Sequence, residues 1–408
     1  MKSEADIHHD LYKLGVELSK IKGVNLIHTY TPKQTLEGGE KVKSLDAKIR
    51  KIDTVSKREN YSIASIDSSS RMLRSTFLDL IVIGASMYST ERGIITFPFD
   101  ISGRYLGVAS YLDVLRKLES ELSDPSFALV NIVGYEYAVD EVEVITKMGI
   151  KRESLYHLDD VADELRLEAE NNLIKESKEE LLILDGPLFP TPIELYSDFE
   201  FGIPKNKDEI KHWGRITHRW AYAQLIKERL DMIKKRKVIG VVKRLESSRK
   251  LRLIPEIRQI LGINGIPDLN DAEVLEMISA KECNIGVCLI GPFQLNTDLE
   301  VKREDVNQVV LSNIPEKYAY YAILKLPGGL QSFFRIESLD LNLLDEVVSI
   351  VFQDVTEDLL PTYISIVDSY AKKLAKGLYY LSFNVLKDFV TFLHDTRIEA
   401  LSISREMS

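Results

Sequence analysis

Three apolar segments lie close together early in this chain, at residues 61–67, 77–87 and 93–99. The first two are separated by the turn-prone Ser68-Ser69-Ser70-Arg71, and Glu91-Arg92-Gly93 makes a tight turn into the third. Residues 77–87 are rich in Leu, Ile and Val, as a buried strand requires. Such spacing predicts an antiparallel three-stranded meander.

After the meander the pattern changes. Residues 105–122 read as a helix and 127–137 as an extra strand. Residues 155–178 form a long helical pattern, with Leu158, Val161, Leu165 and Leu173 on or near one face. Leu181–Asp185 is an apolar strand that stops at Asp185-Gly186-Pro187. A second long helix spans 207–236, followed by a strand at 237–243. Further strands are expected at 285–290, 318–326 and 332–337, and helices at 341–353, 362–380 and near 382–394. Upstream, Ile7, Leu11, Leu14, Leu18 and Ile21 give residues 6–22 an amphipathic helical spacing. That helix is a candidate surface for a partner or a second copy, or else part of the core. Residues 29–60 read as polar loop with short helical pieces.

A meander followed by helices alternating with single strands predicts an α/β fold, a mixed sheet flanked by helices. The expected division is an N-terminal helical extension over residues 1–55, one catalytic domain over 56–395 with an insertion around 250–280, and a C-terminal tail over 396–408.

Composition narrows the function. The 408 residues are 45% hydrophobic and 28% charged, an ordinary globular balance. A net charge of −10 excludes a protein that coats nucleic acid by bulk basicity. Any DNA contact needs a local patch, and residues 227–252 supply one: Lys234, Lys235, Arg236, Lys237, Lys243, Arg244, Arg249, Lys250 and Arg252. The only cysteines, Cys283 and Cys288, are not spaced as a CxxC pair and read as buried small hydrophobes in a reducing cytoplasm. No signal-peptide core or membrane-length apolar run is visible, so a soluble, cytoplasmic protein is expected.

The chemistry-bearing residues are acids. Asp67 ends the first apolar segment, where a carboxylate is either a turn cap or a metal ligand. Asp185 is the first polar residue after four apolar ones. Carboxylates at neighbouring strand ends are a means of holding hard divalent cations, although Asp-Gly is also a common turn. The helix before Asp185 carries Asp163, Glu164, Glu168 and Glu170, of which Glu168 lies 17 residues upstream of Asp185 (185 − 168). Asp368 sits early in a late helix, where the macrodipole also favours an acid.

In order and spacing these segments resemble the NurA nuclease family over roughly residues 55–380. Ser65-Ile66-Asp67-Ser68-Ser69-Ser70-Arg71 is similar to its first motif, with Ser68 where the family often has Gly. Leu182-Ile183-Leu184-Asp185-Gly186-Pro187-Leu188 is similar to its second Asp motif. The strand at 238–243 with Ser247 and Ser248, the Arg335-Ile336-Glu337 strand and the helix at 363–372 resemble its later motifs.

The resemblance implies a ribonuclease-H-like sheet and a metal-dependent deoxyribonuclease. Mn²⁺ or Mg²⁺ would be held by Asp67, Glu168, Asp185 and Asp368, with Glu164 as the alternative helix acid and Lys243 beside the scissile phosphate. It further implies 5′-to-3′ exonuclease and single-strand endonuclease activity, a role in DNA end resection and double-strand break repair, and a homodimer docked on a HerA-type hexameric ATPase, as in archaea. Two alternatives stand beside it: a catalytically reduced paralogue serving as an adaptor for the translocase, and another ribonuclease-H-like enzyme of Argonaute or transposase type.

Overall fold

The computed structural model describes residues 2–20, 41–52, 61–76, 78–110, 158–191, 216–297, 300–303 and 308–407. The first elements in chain order are helix α1 (Glu4–Lys20) and strands β1 (Lys41–Ser44), β2 (Ile49–Ile52), β3 (Ile63–Arg74), β4 (Leu78–Ser89), β5 (Gly93–Phe97) and β6 (Leu106–Ser110). Then come α2 (Leu158–Glu176), β7 (Leu181–Asp185), α3 (Ile216–Ile233), β8 (Lys237–Val242), α4 (Pro255–Leu261) and α5 (Asp271–Glu282). The remainder is β9 (Gly286–Asn296), β10 (Val301–Arg303), β11 (Gln308–Leu311), β12 (Lys317–Lys325), β13 (Gln331–Ser338), α6 (Leu341–Val351), α7 (Thr362–Leu386) and α8 (His394–Met407).

The main sheet runs β1-β9-β12-β13-β8-β7-β3-β4-β5, with β2 added to β9 and β6 to β4. Within it β3, β4 and β5 form the antiparallel meander, while β7 pairs parallel with β3 and β8 parallel with β7. In the block β5-β4-β3-β7-β8 only β4 therefore runs against its neighbours. This is the ribonuclease-H-like strand order. Antiparallel β13, β12 and β9 extend the sheet beyond β8.

The central strand shows why the sequence folds this way. Leu182 and Leu184 join one core cluster while Leu181 and Ile183 join another, so the apolar run is buried on both faces. A parallel strand covered by helices on each side needs that composition. Helix α2 packs on β3 and β4 from one side. Helix α7 crosses the other, so close at Gly84 that a Cβ there would lie 2.5 Å from the Ala375 nitrogen. No helix among the described residues is long and apolar enough to cross a membrane.

Several expectations need correction. Strand β3 does not stop at Asp67 but continues to Arg74, because residues 68–71 pair in register with Ala85, Gly84, Ile83 and Val82 of β4. Main-chain pairing overrides the turn preference of the serines. Residues 41–52 hold two short edge strands rather than loop and helical pieces; their Lys41, Lys43, Arg50 and Lys51 are edge-type residues. Residues 106–110 form a strand on β4, not the start of a helix. The rest of that expected helix, the strand at 127–137 and residues 207–215 lie outside the described residues. Helix α7 runs through residues 382–386, and the last helix starts at His394. Both cysteines are buried, as are Tyr320, Tyr321 and Phe334.

Helix α1 is core. Ile7, Leu11, Leu14 and Leu18 are fully buried, and the helix packs on α7. Its apolar face is thus already covered within the chain. Leu14→Ala should therefore lower the unfolding free energy by about 3 kcal/mol. A urea titration checks this; a loss below roughly 1 kcal/mol would mean that the helix is peripheral.

Candidate metal centre

Strand register brings the first two acids together. Ile66 pairs with Leu184, so Asp67 and Asp185 follow side by side, Asp67 partway along β3 and Asp185 at the end of β7. Asp185 in turn pairs with Val241, and Lys243 follows two residues later, on the same side by strand alternation. The third acid arrives on α7. The Ser65 hydroxyl donates to the Tyr363 carbonyl and the Ser86 hydroxyl to the Val367 carbonyl, both at 2.9 Å. These bonds fix the start of α7 against β3 and β4 and put Asp368 over the strand ends. As a result, carboxylate oxygens of Asp67, Asp185 and Asp368 lie within 4.8 Å of one another.

Two glycines make the turn after Asp185 possible. Gly186 has φ 132°, a conformation that side chains resist. Its N–H donates to the Val241 carbonyl at 2.9 Å, folding the turn over β8. A Cβ on Gly240 beneath would sit 2.7 Å from the Gly186 carbonyl oxygen.

Charge dominates the centre. The Lys243 ammonium donates to Asp185 Oδ2 at 2.6 Å and to Asp368 Oδ1 at 2.7 Å, and Lys372 donates to Asp368 Oδ2 at 2.6 Å. Burial pushes the Asp67 carboxyl well above the ordinary range, reinforced by the charges of Asp185 and Glu170. Burial also lifts Asp185, against the charge and hydrogen bond of Lys243, to about 6. For Asp368 burial acts upward, but hydrogen bonds from Lys243 and Lys372 outweigh it and hold the carboxyl below its usual value. Lys243 is itself held above its ordinary value, its carboxylate partners overcoming burial.

The carboxylates open into a cleft of about 510 Å³. Arg166, Arg244, Arg335 and Lys372 give its walls positive charge, beside Ser68 and Tyr222. Of these, Arg335 and Lys372 lie in segments that resemble family motifs but were not assigned to the site, and Arg166 and Tyr222 were not apparent from the sequence. For Lys372 a signal existed, since it stands four residues after Asp368 on one helix face.

Other expected site residues lie elsewhere. Glu168 does not join the group: its carboxylate is gripped by Arg104, whose Nε donates at 2.9 and 3.1 Å. Glu170, two positions on and so on another side of α2, accepts from Ser68 and, at 2.7 Å, from Arg229. Ser68 also accepts from Arg166 Nε at 3.2 Å. Glu164, the alternative, is buried. Of the basic stretch, only Lys243 and Arg244 line the cleft. Lys234, Lys235, Arg236 and Lys237 stand at the start of β8, a strand length of roughly 20 Å from its carboxylate end. There Arg236 ties down the Ile174 and Glu179 carbonyls and Lys237 the Tyr61 hydroxyl. Arg249 pairs with Asp268, and Lys250 is buried on Ser248.

In sequence, the family described as the NurA domain matches residues 61–373. Among solved structures the chain is similar to the NurA nuclease from Sulfolobus solfataricus, at 11% identity and a TM-score of 0.36, over 90% of this chain and 89% of that one. It is similar to NurA bound to dAMP and manganese at 10% identity and 0.36, over 90% and 93% of the two chains. NurA with manganese gives 9% and 0.35, over 94% and 98%. None of the curated proteins matches the chain.

The raised carboxyls make metal-free stability depend on pH. Asp185 binds its proton more tightly folded than unfolded, so between the ordinary value of 3.8 and about 6 the native state holds more protons. Stability must then fall as pH rises through that window. Asp67 acts in the same direction. In chelator, the melting temperature should rise on acidification from neutral pH toward pH 5. Asp67→Asn at neutral pH should raise the melting temperature of the metal-free protein, because it removes the buried charge. A destabilised variant would show that these carboxylates are not in conflict.

Proposed function

The chain belongs to the NurA family, and from that premise we propose that it is a metal-dependent DNA nuclease, hydrolysing phosphodiester bonds in the cleft above Asp67, Asp185 and Asp368. The observation that carries the proposal is the convergence of these three carboxylates, from three separate elements, within 4.8 Å. Turn caps and helix first-turn acids, the ordinary roles of such residues, do not require them to meet.

The residues suit a hard divalent cation. Their donors are oxygens only, as Mn²⁺ or Mg²⁺ prefers, and two of them already grip a cationic ammonium. Asp67, Asp185 and Asp368 would hold the ion, with Glu170 adding negative charge from behind Ser68. When bound, such a cation activates water and neutralises charge building on phosphate and leaving oxygen. The protein's own residues do the rest. Lys243 keeps Asp368 ionised and offers a point charge to the phosphate. Arg166, Arg244 and Lys372 attract the backbone into the cleft despite the net charge of −10. The backbone at Ser68 is regular paired strand, so the family's more usual glycine is dispensable there. That favours an active enzyme over a reduced adaptor.

Family analogy supports finer statements: 5′-to-3′ exonuclease and single-strand endonuclease activity, action in end resection and double-strand break repair, and a homodimer fed by a HerA-type hexameric ATPase. Cytoplasmic location fits that work.

Labelled single-stranded DNA in Mn²⁺ provides the test. The native protein should cleave it, and Asp185→Asn, which keeps shape but loses charge, should be slower by at least roughly 100-fold. Glu170→Gln should lose about 10-fold, and Glu168→Gln, remote on Arg104, should change little. Equal cleavage by the native protein and Asp185→Asn would place the active site elsewhere. Cleavage by neither, with the translocase present, would favour the adaptor.

A further inference from the structure

A second polar assembly is buried behind the cleft and takes no part in holding the three carboxylates. Arg335 pairs with Val242 across β13 and β8, so it occupies the opposite face of the sheet from Lys243. Its Nε donates to Glu337 Oε1 at 2.8 Å and its Nη1 to Ser248 Oγ at 3.2 Å. The Ser248 hydroxyl donates to Asp271 Oδ2 at 2.5 Å, and the Tyr321 hydroxyl donates to the same oxygen at 2.9 Å. The other oxygen of Glu337 lies 3.2 Å from Lys317 Nζ and accepts from Leu188 N–H at 3.3 Å. Arg335 is 2% exposed, and Glu337, Lys317, Ser248, Asp271 and Tyr321 are completely buried.

Stability does not account for this arrangement. Burying several charges carries a desolvation penalty that apolar side chains of the same volume avoid. The part of the assembly that reaches the cleft is Arg335, which lines it while Glu337 and Ser248 hold its Nε and Nη1. A guanidinium held in one orientation presents its donors to a phosphate at little further entropic cost. Glu337 sets that orientation and also grips Leu188, three residues after Asp185. One carboxylate thus indexes the guanidinium to the turn that carries the metal-binding acid.

We propose that Arg335 is a substrate-binding residue that contacts a backbone phosphate of the DNA strand in the cleft, with Glu337, Ser248, Asp271 and Tyr321 as its positioning residues. The proposal rests on the nuclease reading and adds a phosphate subsite on the face opposite the acids.

Two variants test it. Arg335→Lys keeps the buried charge but loses the fork. The pair Arg335→Met with Glu337→Gln removes both charges together, leaving no uncompensated carboxylate. Binding of a fluorescent single-stranded oligonucleotide is measured in an Asp185→Asn background, so that the strand is not consumed, over a range of salt. Loss of one phosphate contact should flatten the slope of log affinity against log salt by about 0.7 in the double-charge variant. Arg335→Lys should weaken binding roughly tenfold and raise KM more than it lowers kcat in the otherwise native protein. Mn²⁺ affinity, read by calorimetry without DNA, should stay as in the native protein.

A folded variant with unchanged salt slope and KM overturns the proposal while leaving the nuclease reading intact. So does a fall in kcat and Mn²⁺ affinity without a change in DNA binding, because that marks a purely structural strut. If the native protein binds no DNA, both readings fall together.

Discussion

Asp67, Asp185 and Asp368 repel one another, and the surrounding architecture holds them close regardless. Each is carried by an element that cannot retreat. Asp67 and Asp185 are fixed by parallel main-chain pairing between buried strands, and Asp368 by a helix docked through serine–carbonyl bonds. Lys243 is the internal relief, its ammonium lying between Asp185 and Asp368. Only a core far larger than the site can sustain such a conflict. The apolar residues of β7, buried on both faces, and the tight approach of α7 at Gly84 supply that rigidity. The strain in this protein is electrostatic and local, and a bound cation would relieve it.

How much of this was legible in the sequence depends on whether local or distant contacts decide the outcome. The meander, the apolar strand ending at Asp185 and the late helix with Asp368 could be read because hydrophobic period and strand-ending acids are local signals. Asp185 could be singled out for the same reason, while Asp67 was marked only by the polar run after it, through which β3 in fact continues. The length of β3 could not, since pairing with β4 rather than residue preference carries it through three serines. Edge strands at 41–52 escaped notice because their polar sequence is shaped by the partner strand β9. The placement of the α2 acids is a matter of geometry. Residues 168 and 170 differ by roughly 200° around a helix, and only packing decides which turns toward the strands. Arg104, far away in sequence, claims Glu168.

The basic residues teach a related lesson about charge. A run such as Lys234 to Lys237 is conspicuous on paper, yet it sits at the wrong end of β8, where Arg236 serves to close the carbonyl end of α2. The cations that reach the cleft are dispersed in sequence: one each from α2, β13 and α7, and Lys243 and Arg244 after β8. Density of charge along a chain measures little when the sheet can gather isolated residues at one edge. The overall acidity of the protein is equally uninformative about the cleft, because exposed charges beyond a Debye length are largely screened while partly buried ones are screened much less.

The strand ends themselves explain why this gathering happens. Side chains alternate across a sheet, so consecutive residues of one strand serve opposite faces. At the end of β8, Lys243 turns to the acids under α7, while neighbouring Val242 shares its face with Arg335 and the buried polar chain. Both faces meet only at the carboxylate edge, where the strands stop and the Asp185-Gly186-Pro187 turn folds back. A phosphodiester lying along that edge is exposed to a cation-binding face on one side and a positively charged face on the other. A site in the middle of the sheet could engage only one of them.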